Sequence, residues 1–140
     1  MRKRVNGYIS PNTETRSSTI HGLGLFAKKN LKKGVVVAGW GGKILTKQEV
    51  QKLPKIIGNN YALEVYPGFY LAETKKSEID ASDFINHSCQ PNCEIVNTII
   101  MRTKQTIKKD EELTADFSSP HGKKTRCSCG TQGCKIFVQF

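Results

Sequence analysis

The sequence predicts a mostly-β domain of small sheets that ends in a metal-binding tail. Turn signals recur at close spacing, the runs between them are short and rich in β formers, and three cysteines crowd positions 127 to 134. The turns fall at Gly22 and Gly24, at Gly34, at Gly39-Trp40-Gly41-Gly42, at Gly58-Asn59-Asn60, at Pro67-Gly68, at Asn92 and at Pro120-His121-Gly122. Strands are expected at 23–27, 35–38, 61–66, 69–72, 93–101 and 113–117. That spacing is too tight for parallel strands joined by helical crossovers.

Each connection has its own signal. Thr46-x-x-Glu49 is a capping box, so a helix starts there and runs to about Leu53, where Pro54 stops it. Tyr66-Pro67-Gly68-Phe69 reads as a hairpin turn, because proline sets the first central dihedral and glycine accepts the second. A short helical turn is expected at 82–85, capped by Ser82 or Asp80.

At 140 residues the chain has room for one core, and its 37% apolar content is lean enough to invite a metal staple. No apolar run approaches the roughly 18 residues of a membrane span. The start, Met1-Arg2-Lys3-Arg4-Val5-Asn6, lacks the apolar stretch of a secretory signal. A reducing compartment follows as the expectation, either a microbial cytoplasm or a nucleus. There five cysteines read as thiols or metal ligands rather than disulfides. The formal charge of +10, from 22 basic against 12 acidic residues, favours acidic partners such as nucleic acid. A solvated basic surface accounts for the same charge. Any acidic groove for a basic protein substrate must be local.

Cys127-x-Cys129-x4-Cys134, with Gly130 and Gly133 allowing a tight loop, has the spacing of a tetrahedral zinc site. Three sulfurs leave one position open. Cys89 and Cys93 are the available donors, and spacing alone does not choose between them.

The segment Ile85-Asn86-His87-Ser88-Cys89-Gln90-Pro91-Asn92-Cys93 resembles the central N-H-S-C-x-P-N signature of SET-domain protein-lysine methyltransferases. His21-Gly22-Leu23-Gly24-Leu25-Phe26-Ala27 is similar to the family's opening glycine-rich segment. Asp110-Glu111-Glu112-Leu113-Thr114-Ala115-Asp116-Phe117 is similar to its closing segment, and the terminal cysteines resemble a post-SET tail. The resemblance implies an N-terminal extension or first strand at 1–15, a SET domain at 16–118 and a zinc-binding tail at 119–140. It implies small curved sheets with a pseudoknot-like threading, in which 113–117 passes beneath the loop after 86–92. It also implies that Cys89 joins Cys127, Cys129 and Cys134 on Zn2+, leaving Cys93 a free buried thiol.

By the same resemblance the chain would move a methyl group from S-adenosyl-L-methionine to a lysine of a protein tail or loop, a histone being one such substrate. His21, Gly22, Leu23, Gly24, Asn86 and His87 would line the cofactor pocket, with Phe137 as an aromatic from the tail. Tyr61 would wall the lysine channel and touch the cofactor. Direct displacement needs alignment more than charged catalysts. It also needs a neutral amine, although free lysine has a pKa of about 10.4. A desolvated channel lowers that value. His87 is expected to be structural rather than an acid or base.

The chain departs from the pattern at Phe117, where the family has the tyrosine of its closing D-Y pair, the residue usually taken as catalytic. Loss of that oriented hydroxyl costs on the order of 1–3 kcal/mol, or about ten- to a hundredfold in rate. Ala115 replaces a bulky aromatic, and Gly39-Trp40-Gly41-Gly42-Lys43 replaces an acidic segment. A SET-fold binding module with weak or no catalysis, holding nucleic acid or protein, is therefore the alternative. A small zinc-dependent nucleic-acid module of another kind would explain the charge and the zinc but not residues 86–92. Arg102-Thr103-Lys104-Gln105-Thr106 matches the start of a core histone tail, which makes Lys104 a candidate mimic or self-methylation site.

Overall fold

Leu25, Val37, Met101, Ile107 and Leu113 are all fully withdrawn from solvent, and two four-stranded sheets close around them. The computed structural model describes residues 2–55, 62–119 and 123–140. Tyr61 and the turn signals at 58–60 and 120–122 lie outside the described residues.

The first sheet is antiparallel. Its order is β1 (Tyr8–Ile9), β4 (Val36–Gly39), β10 (Ile100–Thr103) and β9 (Cys93–Val96). The second runs β2 (Thr13–Ser17), β3 (Leu23–Ala27), β11 (Glu112–Ala115) and β8 (Asn86–His87), with β11 and β8 parallel. A three-stranded sheet joins β5 (Lys43–Thr46), β7 (Phe69–Ala72) and β6 (Ala62–Tyr66). The tail forms a ribbon of β12 (Lys124–Arg126) and β13 (Phe137–Gln139). The mostly-β reading with small sheets holds.

Local chemistry sets the connections. Helix α1 (Lys47–Gln51) starts where Thr46 and Glu49 exchange side-chain and backbone hydrogen bonds, and Lys52 caps it two residues before Pro54. A 3₁₀ turn at Ala81–Phe84 takes Asp80 as its cap, the Asp80 carboxylate accepting from the Ser82 N–H at 2.8 Å. Between β6 and β7, Gly68 adopts a φ of 79°, as the hairpin demands. The strand expected at 93–101 is instead a hairpin of β9 and β10. Asn97 and Thr98 turn it with φ of 48° and 70°. Asparagine tolerates that conformation, a signal that the surrounding apolar residues masked.

Gly41 and Gly42 have a packing reason. A Cβ on Gly41 would lie 2.4 Å from the Gly7 nitrogen, and one on Gly42 would lie 2.7 Å from the Ala72 carbonyl oxygen. The amino-terminal segment therefore seats directly on this loop, with Val5 and Gly42 paired backbone to backbone. Arg4 deepens the anchorage, donating to both oxygens of the buried Glu73 at 2.9 and 3.0 Å.

The loop after β8 grips the closing strand. Asn92 Oδ1 accepts from the Thr114 N–H at 2.9 Å, and its Nδ2 donates to the Glu112 carbonyl at 2.8 Å. One side chain thus replaces a neighbouring strand on that edge of β11. Asn92→Ala would leave both backbone groups unanswered, and a loss on the order of 1–3 kcal/mol is expected in urea unfolding of the zinc-loaded protein. A loss below about 0.5 kcal/mol, within the range of ordinary surface substitutions, would mean that β11 is held by other contacts.

Candidate functional site

Four sulfurs converge where the tail meets the end of β8. The Sγ atoms of Cys89, Cys127, Cys129 and Cys134 all lie within 4.8 Å of one another, and Cys89 and Cys127 approach to 3.7 Å. Tetrahedral ligation with zinc–sulfur bonds of about 2.3 Å asks for sulfurs at about that separation, so the donor set fits the metal. Backbone N–H groups already point at the sulfurs, from Lys135 to Cys89 at 3.5 Å and from Ile136 to Cys134 at 3.4 Å. Burial pushes the Cys127 thiol up to about 12. Against the same burial, hydrogen bonds at Cys89 and Thr131 draw Cys129 down to about 5. Cys93 is elsewhere, fully buried in the apolar core, with its thiol raised to about 12 by desolvation.

His87 joins this cluster to the closing strand. Its Nδ1 accepts from the Phe117 N–H at 3.1 Å, so in the neutral ring the proton sits on Nε2, which faces Cys89 Sγ at 3.5 Å. Burial lowers the His87 pKa and keeps it neutral, despite the opposing pull of Asp116. An oriented imidazole facing a sulfur of the cluster fixes both the ring and that sulfur.

The glycine-rich segment meets β8 through amides. Asn86 Nδ2 donates to the carbonyls of His21 (3.1 Å) and Leu23 (2.9 Å) and to Glu112 Oε1 at 2.8 Å. Ser18 donates to both oxygens of the same carboxylate, at 2.9 and 2.8 Å. Gly24 is what lets them gather. A Cβ there would stand 2.1 Å from Glu112 Oε1. Gly22 turns the chain with a φ of 45°, and Leu23 starts β3.

A cavity of about 200 Å³ opens beside this knot, lined by His21, Asn86, His87, the Cys127–Cys129 stretch and Phe140. The Phe140 ring stands edge-on to His87 with centroids 4.8 Å apart. Phe137 faces a different groove, with Lys124 Nζ 5.1 Å from its ring. The tail does bring an aromatic to the cavity, and it is Phe140. Glu112, which accepts from Asn86, and Ser18, which bonds Glu112, were also not singled out from sequence. Glu112 lies inside the closing segment, so its position there was the available signal.

A second cavity, about 130 Å³, lies at Phe117. Trp40 stands edge-on to Phe117 at 5.9 Å and is fixed by its Nε1–H donating to the Ser82 carbonyl at 3.1 Å. Leu63 and Leu71 line the same space, and so does Asp83, which no sequence pattern marked. Ala115 lies in the core beneath, fully buried. Of the histone-like segment, Arg102 pairs with Glu94, and Thr103 is buried, bonded to the Lys32 carbonyl at 2.7 Å. Lys104 is exposed on the turn that follows.

Among the described residues no helix is long and apolar enough to cross a membrane. The family model for the SET domain matches residues 22–118. The chain is 34% identical over 134 residues to a histone-lysine N-methyltransferase of Schizosaccharomyces pombe described as H3 lysine-4 specific, covering 86% of this chain and 14% of that protein. A protein of the same description from Neurospora crassa is 34% identical over 137 residues, covering 86% of this chain and 10% of that one. The histone-lysine N-methyltransferase set-2 of Caenorhabditis elegans is 30% identical over 134 residues, covering 86% and 9%. The chain therefore spans only a small part of the length of these relatives. The matched residues take in the glycine-rich segment, β8, its gripping loop and the closing strand, and on that ground the chain belongs to the SET-domain family.

Proposed function

We propose that this chain is a protein-lysine N-methyltransferase that uses S-adenosyl-L-methionine and acts on a histone or another basic, DNA-associated protein in a nucleus or a cytoplasm. The observation that carries the reading is a pair of cavities built largely on residues of the matched segments. One is lined by His21, Asn86 and His87, and the other is closed by Phe117. Two of the relatives, described as H3 lysine-4 specific, support the substrate class.

In this reading His21 to Gly24, Asn86, His87 and Phe140 hold the cofactor, which supplies an activated methyl group. Asn86 sets the position of the glycine-rich carbonyls, and Gly24 leaves room for close approach. The Trp40 and Phe117 rings exclude water from the place where a lysine amine would enter, which favours its neutral form. Tyr61, by its place in the sequence, is retained as a wall of that channel. Cys89, Cys127, Cys129 and Cys134 hold Zn2+ and fasten the tail that carries Phe140. The basic surface is available to the nucleic acid on which such substrates sit.

Phe117 favours a second reading, a SET-fold module that binds protein or nucleic acid without efficient turnover. Transfer of labelled methyl into histones, other basic proteins or the chain itself decides between them. Label recovered as methyl-lysine is expected; cofactor binding without label would make the second reading the correct one. Phe117→Tyr is expected to raise kcat about ten- to a hundredfold with little change in cofactor affinity. An unchanged kcat would mean that the catalytic hydroxyl is not missing from this position.

Metal removal provides a further check. One zinc per chain is expected, and a strong chelator should lower Tm and expose Cys89, Cys127, Cys129 and Cys134 to a thiol reagent while Cys93 stays protected until global unfolding. Equal reactivity of all five thiols in the untreated protein would rule out the cluster as a metal centre.

A further inference from the structure

The cavity at Phe117 is lined in part by an acidic residue, Asp83, that also closes the capping box of its own turn. Asp83 lies on the 3₁₀ turn before β8, its Oδ2 accepting from the Asp80 N–H at 2.9 Å. It lines a space shared with Trp40, Ala62, Leu63, Leu71 and Phe117, and with Gly41 and Ser82. A carboxylate among apolar and aromatic groups is costly unless a cation answers it.

Among the described residues the cation that acts on it is Arg4, through its charge and without an ion pair to Asp83. The charged groups that face Asp83 are Asp80 on its own turn, Glu73 just after β7 and Arg4 from the amino-terminal segment. The first two repel its charge. Arg4 is committed to Glu73, at 2.9 and 3.0 Å, and to the Glu78 carbonyl at 3.2 Å. Desolvation, together with the charges of Asp80 and Glu73, pushes the Asp83 carboxyl up to about 7 despite the Asp80 N–H.

The surroundings have the chemistry of an alkylammonium site. Aliphatic side chains suit a methylene chain, and aromatic rings attract a cation that has shed its water. The carboxylate would complete the pairing. The same cavity holds Phe117, where the closing segment lacks a hydroxyl.

We propose that Asp83 receives the target lysine: its carboxylate pairs with the Nζ ammonium in the Trp40–Phe117 cavity and takes the proton that the amine must lose. The N–H bond breaks with its electron pair left on nitrogen, and an O–H bond forms on Asp83. Because Asp83 is only partly buried, the proton then passes to solvent. A base whose pKa lies near the working pH combines availability with driving force. The proton-transfer half rests on the methyltransferase reading; the ammonium-binding half does not.

The test compares zinc-loaded wild type with Asp83→Asn, which keeps an oxygen for the Asp80 N–H. A fluorescent basic peptide with a single lysine is titrated beside the same peptide with norleucine. At pH 8 the wild type is expected to prefer lysine about tenfold. The preference should shrink at pH 5.5, where Asp83 is protonated, and vanish in Asp83→Asn at both pH values. Folding is checked by melting. A carboxyl raised in the folded state costs stability once ionised, so the variant's Tm should rise relative to wild type as pH climbs from about 4 through 7.

Equal lysine preference in wild type and variant overturns the assignment of Asp83, whatever the transfer assay gives. If transfer occurs, the wild-type kcat should rise through pH 7 and Asp83→Asn should lose that limb; an unchanged profile overturns the base role. An Asp83-dependent preference with no methyl transfer upholds ammonium recognition, and it overturns both the base role and the methyltransferase reading.

Discussion

Two residues of parallel pairing, Asn86–His87 against Thr114–Ala115, are the contact on which the rest of the structure depends. A parallel pair this short has little stability of its own, so each member recruits other partners. Asn86 reaches sideways to the glycine-rich segment and to Glu112. His87 spans from the Phe117 backbone to Cys89, and Asn92 takes the exposed backbone groups of the closing strand. Asn86 and His87 of this join line one cavity, and Phe117, just beyond its other strand, lines the second.

Polar burial in this molecule is organised around satisfied acceptors. Glu112 collects Ser18 and Asn86, and Glu73 collects Arg4. Removing one partner from such a set costs more than the bond was worth, because the remaining charge stays desolvated. Asp83 differs: it accepts from the Asp80 N–H, has no ion pair with Arg4, and lines a cavity.

The sequence was informative wherever the chemistry is local. Thr46 and Glu49 form the capping box, Pro67-Gly68 turns the hairpin, and the cysteines from 127 to 134 do come together. What stayed hidden depends on distant neighbours. Strand β5 pairs only through β7, and β12 is Lys-Thr-Arg, with no apolar alternation to announce it. It is Phe140, three residues beyond Phe137, that lines the cavity beside His87, for a geometric reason. Along β13 Phe137 and Val138 face opposite ways, and Phe140, beyond the strand, turns back onto His87. Asp83 was invisible because only folding brings it to Trp40, Leu71 and Phe117.

Ile136 gives the tail a mechanical character. It adopts a φ of 67°, a left-handed conformation that a β-branched residue resists, and its side chain is 58% exposed, so burial does not offset the strain. It is held in place from both sides, by the Cys127 N–H on its carbonyl at 2.7 Å and by Cys134 Sγ on its own N–H at 3.4 Å. The residue therefore behaves as a loaded spring between the sulfur cluster and Phe140. The sulfur cluster and the strained residue are thus mechanically linked, and a change at Cys127 or Cys134 bears directly on the backbone that leads into β13 and on to Phe140.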